Sequence, residues 1–270
     1  MANPSLPPQA TFVLSTGRCG TQWLAHAFAG VYGDCLRVEH EPLHDRYFPR
    51  QMLGWGDFAG LPAGQAEPIL DHVTGIEKSL AAQPYFETGH PCWSSLPCLA
   101  RRLAGRIRVV HLVRHPVPTA YSWISNGAYM PPILPHIPAK EFLSPFDRGV
   151  KFSEYRDRWH SLQPWEKCLY YWAEVNAFGL FQEQRLGVPW LRINYEHLFA
   201  PGPLARLAAF IGLPNRPALA EAIGQRIDEH RFVTDQRMDP RQIRTHPRVI
   251  EVAESLGYEV NHSPSFQAFA

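Results

Sequence analysis

Long apolar runs are missing from this sequence. No window approaches roughly 18 uninterrupted apolar residues, so no membrane-spanning helix is expected. An excess of one charge is missing too. Against 26 Lys and Arg stand 25 Asp and Glu, for a net charge of +1 and only 19% charged residues, which excludes non-specific nucleic-acid binding or membrane-surface attraction as the main role. Paired cysteines are absent. The five present (Cys19, Cys35, Cys92, Cys98, Cys168) are scattered, with no CxxC and no His/Cys pairing at zinc spacing, so reduced thiols in a cytoplasmic protein are expected and no metal site. The opening MANPSLPPQATFVLS has no basic segment followed by a long apolar run, so no secretory leader is expected. Four methionines are too few for a functional stripe, and no repeat or low-complexity segment is visible.

What is present is the make-up of a full-sized core: 270 residues, 45% hydrophobic, enough for one large α/β domain. Short buried strands are expected at 11–15, 36–40, 85–88, 108–113 and 188–193. Helices are expected at 21–31, within 65–82, and at 93–104, 116–126, 164–186, 203–212 and 217–226. The Pro- and Gly-rich stretch from 127 reads as a loop or lid, and 228–270 as a tail, basic in its middle. Strand–helix alternation implies a three-layer α/β domain, a P-loop-like parallel sheet with helices on both faces. In such sheets ligands lie beyond the carboxyl ends of the strands.

The turn after the first strand, "VLSTGRCGTQWL" (13–24), is written for that role: small residues and two glycines around one arginine, at a helix start whose backbone N–H groups favour a phosphate. It is not a Walker A loop. With Gly20 as its second glycine, Ser15 stands for the first, Thr21 for the lysine, and Gln22 for the metal-binding hydroxyl.

Gly17-Arg18-Cys19-Gly20-Thr21-Gln22-Trp23 resembles the 5′-phosphosulfate loop of the sulfotransferases that use 3′-phosphoadenosine 5′-phosphosulfate (PAPS). "VVHLVRHPVPTAYSWI" (109–124) is similar to the same family's 3′-phosphate motif, with Arg114 at the strand end and Ser122 eight residues on. An arginine and a hydroxyl converging on one phosphate give charge-assisted hydrogen bonds. A weaker similarity lies at "WLRINYEHL" (190–198). The resemblance covers most of 11–213. It implies an aromatic beside the adenine, with Trp23 the first candidate and Tyr195 the second. It also implies a basic clamp in the tail, for which Arg237, Arg241, Arg244 and Arg248 are loose candidates.

The implied activity is metal-independent, in-line transfer of a sulfuryl group from PAPS to a hydroxyl or amine, leaving PAP. The acceptor would be a small molecule or glycan, shaped by loops at about 44–82 and 127–160. Arg18 would be an electrostatic clamp on the leaving group, since a guanidinium stays charged. For the base, Glu41-Pro42-Leu43 matches the spelling of carbohydrate-type enzymes. His90 in "FETGHP" resembles the strand-end histidine of the phenol and steroid type in place alone, because the lysine of that pattern is not kept. Glu41 therefore stands first and His90 second, ahead of His40 and His44. His111, inside an apolar strand, reads as a satisfied core residue, and Trp159, Trp165 and Trp172 as packing. Two other readings stay open: a P-loop kinase or nucleotide hydrolase, and a PAP-binding protein without turnover.

Overall fold

The computed structural model describes residues 9–43, 63–89, 91–130, 142–224 and 239–260. Five strands form one all-parallel sheet: β1 (Ala10–Leu14), β2 (Arg37–His40), β3 (Tyr85–Thr88), β4 (Ile107–Val113) and β5 (Trp190–Asn194), in the order β2-β3-β1-β4-β5. Each connecting crossover carries helix: α1 (Thr21–Tyr32), α2 (Ala63–Leu80), α3 (Leu96–Arg102), then α4 (Pro116–Ser125) and α5 (Pro164–Arg185). After β5 come α6 (Tyr195–Leu198), α7 (Pro201–Ile211), α8 (Ala218–Glu221) and, near the end, α9 (Pro247–Ser255). The expected α/β architecture, a parallel sheet covered by helices on both faces, is what the chain adopts.

The two-residue period of the strands assigns the faces. Ala10, Phe12 and Leu14 of β1 and Ile107, Val109 and Val113 of β4 point into the larger core with α2, α3, α4, α5 and α9. Val13, Phe86, Val110 and Leu112 point the other way, against Trp23, Leu24 and Phe28 of α1 and Leu204, Leu207 and Ile211 of α7. A fully buried side chain such as Phe12 or Phe28 contributes about 1.5–3 kcal/mol of transfer free energy. The central pair β1–β4 is thus fixed from both sides, and the loops at its carboxyl end inherit that rigidity.

Local chemistry explains where elements differ from expectation. The helix expected at 93–104 divides into a 3-10 turn, Pro91–Ser95, and α3, because Pro97 is tolerated only in a first helical turn. The helix expected at 217–226 is the single turn of α8. Neither α6 nor α9 was expected from the sequence. Of the stretch expected to form a lid, 142–160 is packed: Phe142, Leu143, Phe152, Tyr155 and Trp159 are buried in the larger core. Among the described residues no helix is long and apolar enough to cross a membrane.

Candidate active site

The turn between β1 and α1 carries three left-handed residues. Gly17, Arg18 and Gly20 have φ of 74°, 56° and 79°. An arginine in that region is uncommon, and it persists only where its surroundings over-determine it. Those surroundings are visible. Ser15 Oγ accepts from the Gly17 N–H at 3.1 Å, while the Thr16 hydroxyl and the Cys19 thiol both donate to the Gly17 carbonyl, at 3.1 and 3.0 Å. Cys19 is fully buried, and burial pushes its thiol up to about 11, so the side chain is an inert anchor and only its backbone can face a ligand. From α4, the Trp123 indole donates to the Thr16 carbonyl at 3.0 Å. At φ 79°, which favours glycine, a Cβ on Gly20 would lie 3.2 Å from the Tyr195 ring and 3.4 Å from that of Phe199, so any larger residue here would strain the backbone and crowd α6 against the loop.

Three of the residues singled out in the sequence meet here. Arg18 Nε donates to Ser122 Oγ at 3.0 Å, and Arg114 Nη1 donates to the Arg18 carbonyl at 2.9 Å. The Arg114 guanidinium lies over the Tyr195 ring, 4.5 Å from its centroid, a cation–π contact that also brings Tyr195 to the site. Of the helix-start residues, Thr21 is buried, Gln22 exposed, and Trp23 buried edge-on to Phe199 with ring centroids 5.0 Å apart.

The end of β4 is held by residues that the sequence did not single out for the site. Trp172 of α5 donates to the Arg114 carbonyl at 2.9 Å. Glu196 Oε1 accepts from the His115 N–H at 2.9 Å, and Tyr258, beyond α9, places its hydroxyl 2.8 Å from Glu196 Oε2 and 3.1 Å from the Val113 carbonyl. The His115 ring caps α4, its Nδ1 accepting from the Val117 N–H. Burial pushes this imidazole down to about 4, with nearby Glu196 only partly offsetting it. Arg114 Nε and His115 Nε2 are buried without a hydrogen-bond partner among the described residues, a surplus of unmatched polar groups where the sequence suggests an anion.

Glu41 sits at the far side. It follows β2, which is separated from β1 by β3, so the two strands lie about 10 Å apart across two strand spacings. Its N–H donates to the Thr88 carbonyl at 2.9 Å, extending the ladder by one bond past His40↔Thr88. Its φ is 47°, left-handed, and its carboxylate lies 3.9 Å from His40 Nε2, whose ring also meets Thr88 Oγ1 through Nδ1 at 3.0 Å. His90, His44 and Arg237 lie outside the described residues. Arg241 and Arg248 are exposed and paired, the first with Asp239, the second with Glu154 and Glu251. His111 is a core residue, as its place in an apolar strand suggests, fully buried with Nε2 2.9 Å from Asn176 Oδ1, but it is not fully satisfied: Nδ1 is buried without a hydrogen-bond partner among the described residues. Among the described residues no group of His, Cys, Asp and Glu could hold a metal ion.

No protein-family profile and no curated protein sequence matches the chain. Solved structures do. It is similar to the sulfotransferase domain from the curacin biosynthetic pathway, at 15% identity and a TM-score of 0.53, over 94% of this chain and 99% of that domain. It is likewise similar to the sulfotransferase domain of the Synechococcus PCC 7002 olefin synthase, at 15% identity and a TM-score of 0.54, over 96% of this chain and 98% of the other. With its parallel sheet and the loop after β1, the chain has the sulfotransferase fold.

Proposed function

We propose that this chain transfers a sulfuryl group from PAPS to a hydroxyl or amine, with a carbohydrate or small alcohol as acceptor. The observation that carries the reading is the meeting of Arg18, Arg114 and Ser122, drawn from two segments far apart in sequence, at the carboxyl ends of two adjacent central strands. Bound PAPS would supply the sulfuryl group and the phosphate on which its electrons are left. The N–H groups of 17–21 and the Arg18 guanidinium suit the 5′ end, where Arg18 would offset charge developing on the leaving oxygen. Arg114 and Ser122 suit the 3′-phosphate, and Tyr195 and the edge of Trp23 suit the adenine. Glu41 would take the acceptor's proton as transfer proceeds, with His90 as the alternative base. Free thiols at all five cysteines support a reducing, cytoplasmic setting.

The test is direct. Calorimetry should detect PAP binding without added metal, and labelled donor should pass sulfate to an acceptor in a panel of sugars, phenols, amines and lipids. Stabilisation by ATP with Mg²⁺ and none by PAP would instead establish the kinase or hydrolase reading. PAP binding without transfer across the panel would leave a binding protein.

A further inference from the structure

Glu41 combines two features that oppose each other. It precedes Pro42, and a residue before proline is normally driven into extended backbone. Its φ is nevertheless 47°. A non-glycine residue in such backbone costs of order 1–3 kcal/mol and persists only when its neighbours enforce it. The enforcing neighbours are at the end of β3. One is the Thr88 carbonyl, which accepts from the Glu41 N–H at 2.9 Å. The other is Gly89, itself at φ 132°. A Cβ built on Gly89 would fall 2.3 Å from Glu41 Cγ, 3.1 Å from its backbone nitrogen and 3.4 Å from its Cα.

The nearest of these distances is far inside van der Waals contact, and the atom met is not the loose end of a side chain. Cγ is one bond from the carboxylate carbon, and the backbone behind it is close as well. Any side chain at 89 must therefore turn the Glu41 carboxylate away or lift Glu41 off the ladder. We propose that Gly89 is a positioning residue of the transfer reaction: the space where its side chain would be is occupied by Glu41, and that occupancy sets the direction of the Glu41 carboxylate. This rests on the reading of Glu41 as the base.

The experiment compares Gly89→Ala, Glu41→Gln, Glu41→Ala and the double variant Glu41→Ala/Gly89→Ala, measuring chemical unfolding, PAP affinity, and kcat and KM for transfer. The backbone strain of alanine at 89 is common to both backgrounds, so the contact appears as the difference between them. Gly89→Ala should destabilise the wild-type chain more than it destabilises the Glu41→Ala variant. It should lower kcat about 10²-fold, the cost of misplacing a catalytic group by about an ångström. PAP affinity and donor KM should stay within about two-fold, since displacement of one carboxylate is worth little to the donor's phosphates. A structural defect spread through the sheet would move all of these together. If Glu41→Gln abolishes transfer while Gly89→Ala keeps wild-type kcat, the positioning claim is overturned and the base reading stands. Full activity in Glu41→Gln overturns the base reading and the positioning claim with it. Should Gly89→Ala alone fail to fold, recovery of a folded chain in the double variant supports the contact, and failure to recover overturns it.

Discussion

The two ends of the candidate site are built differently. The arginine end stands on central strands β1 and β4, and its parts are gripped by α4 through Trp123, by α5 through Trp172, by α6 through Tyr195 and Glu196, and by the C-terminal segment through Tyr258. The Glu41 end stands on β2, an edge strand, and is held to β3 by a ladder bond to Thr88 and by the close approach of Gly89. Support from several elements fits a group that must hold a charged ligand in one place. A close contact with the neighbouring strand fits a group that needs a direction. On this view, damage at the arginine end should show first in binding, or in transition-state charge, and damage at the glutamate end in turnover alone.

The sharpest break of that comparison is a pair of substitutions, one at each end. Arg18→Ala removes a preorganised charge from the side proposed for the leaving group, and kcat should fall by about 10²–10³. Glu41→Gln keeps the volume and removes the proposed base, and kcat should fall by about 10²–10⁴ with PAP affinity unchanged. Isothermal titration beside single-turnover rates separates the two. Equal loss of PAP affinity in both variants would erase the distinction between the ends. Next in size is Arg114→Ala. A hydrogen bond to a charged group is worth about 1.5–3 kcal/mol, so PAP should bind roughly ten- to a hundred-fold more weakly, and the Arg18 carbonyl also loses its donor. Near-normal PAP affinity in this variant would remove Arg114 from the site.

Much of the arginine end was legible in the sequence because its determinants are contiguous. Gly17 to Trp23 read as a loop and helix start, and Arg114 with Ser122 as a strand end and the helix after it. The four-residue strand β3 was readable to the residue from Tyr85, Phe86 and the β-branched Thr88. What was not legible is whatever joins distant segments. Trp172 read as packing, and it does pack, but its indole also holds the Arg114 carbonyl 58 positions away. Tyr258 reaches the end of β4 across 145 positions, a pairing no spacing rule contains. α9 did carry a signal, since Val249, Val252, Ala253 and Leu256 recur at helical spacing behind Pro247, although the tail's basic residues also spell a clamp. Gly89 was invisible because its role depends on a backbone angle at Glu41.

The histidines sharpen the comparison through pH. Burial pushes His111 on β4 down to about 3, only partly offset by its hydrogen bond to Asn176, with Arg192 adding a further downward push. His115 is similarly depressed to about 4. Both are lower in the folded chain than the usual imidazole value of about 6.5, so the unfolded chain binds more protons below that value. Their stabilisation is therefore present above about pH 6.5 and is lost as the pH falls toward 4 and 3. The edge half behaves oppositely. Burial alone would lower His72 of α2, but the Glu87 carboxylate at 2.7 Å, with Glu39 beyond it, outweighs burial and raises it. That contribution is complete below about pH 6.5 and is lost as the pH rises through the raised value. Between pH 7.5 and 5, amide exchange corrected for its intrinsic rate should show protection falling in β4 and α4 more than in β2 and β3. His111→Gln should flatten the difference by about 2 kcal/mol at the acid end. Parallel loss of protection in both halves would show that the halves are not separately stabilised.

The smallest expected effect tests redundancy itself. Tyr258→Phe removes one hydroxyl and almost no volume. The Val113 carbonyl and Glu196 Oε2 lose the contact, but Glu196 keeps the His115 N–H, and Arg114 keeps both Trp172 on its carbonyl and Tyr195 beneath its guanidinium. The Tyr258 ring, edge-on to His115 with centroids 5.4 Å apart, is retained. Loss of a hydrogen bond to a carboxylate should cost about 1.5–3 kcal/mol of stability, read from chemical unfolding. With the other grips intact, PAP affinity should fall by less than about ten-fold, the equivalent of about 1.4 kcal/mol. A fall as large as that of Arg114→Ala would mean that the C-terminal segment is the dominant support of the arginine end, and the contrast with the strand-edge contact at Glu41 would then disappear.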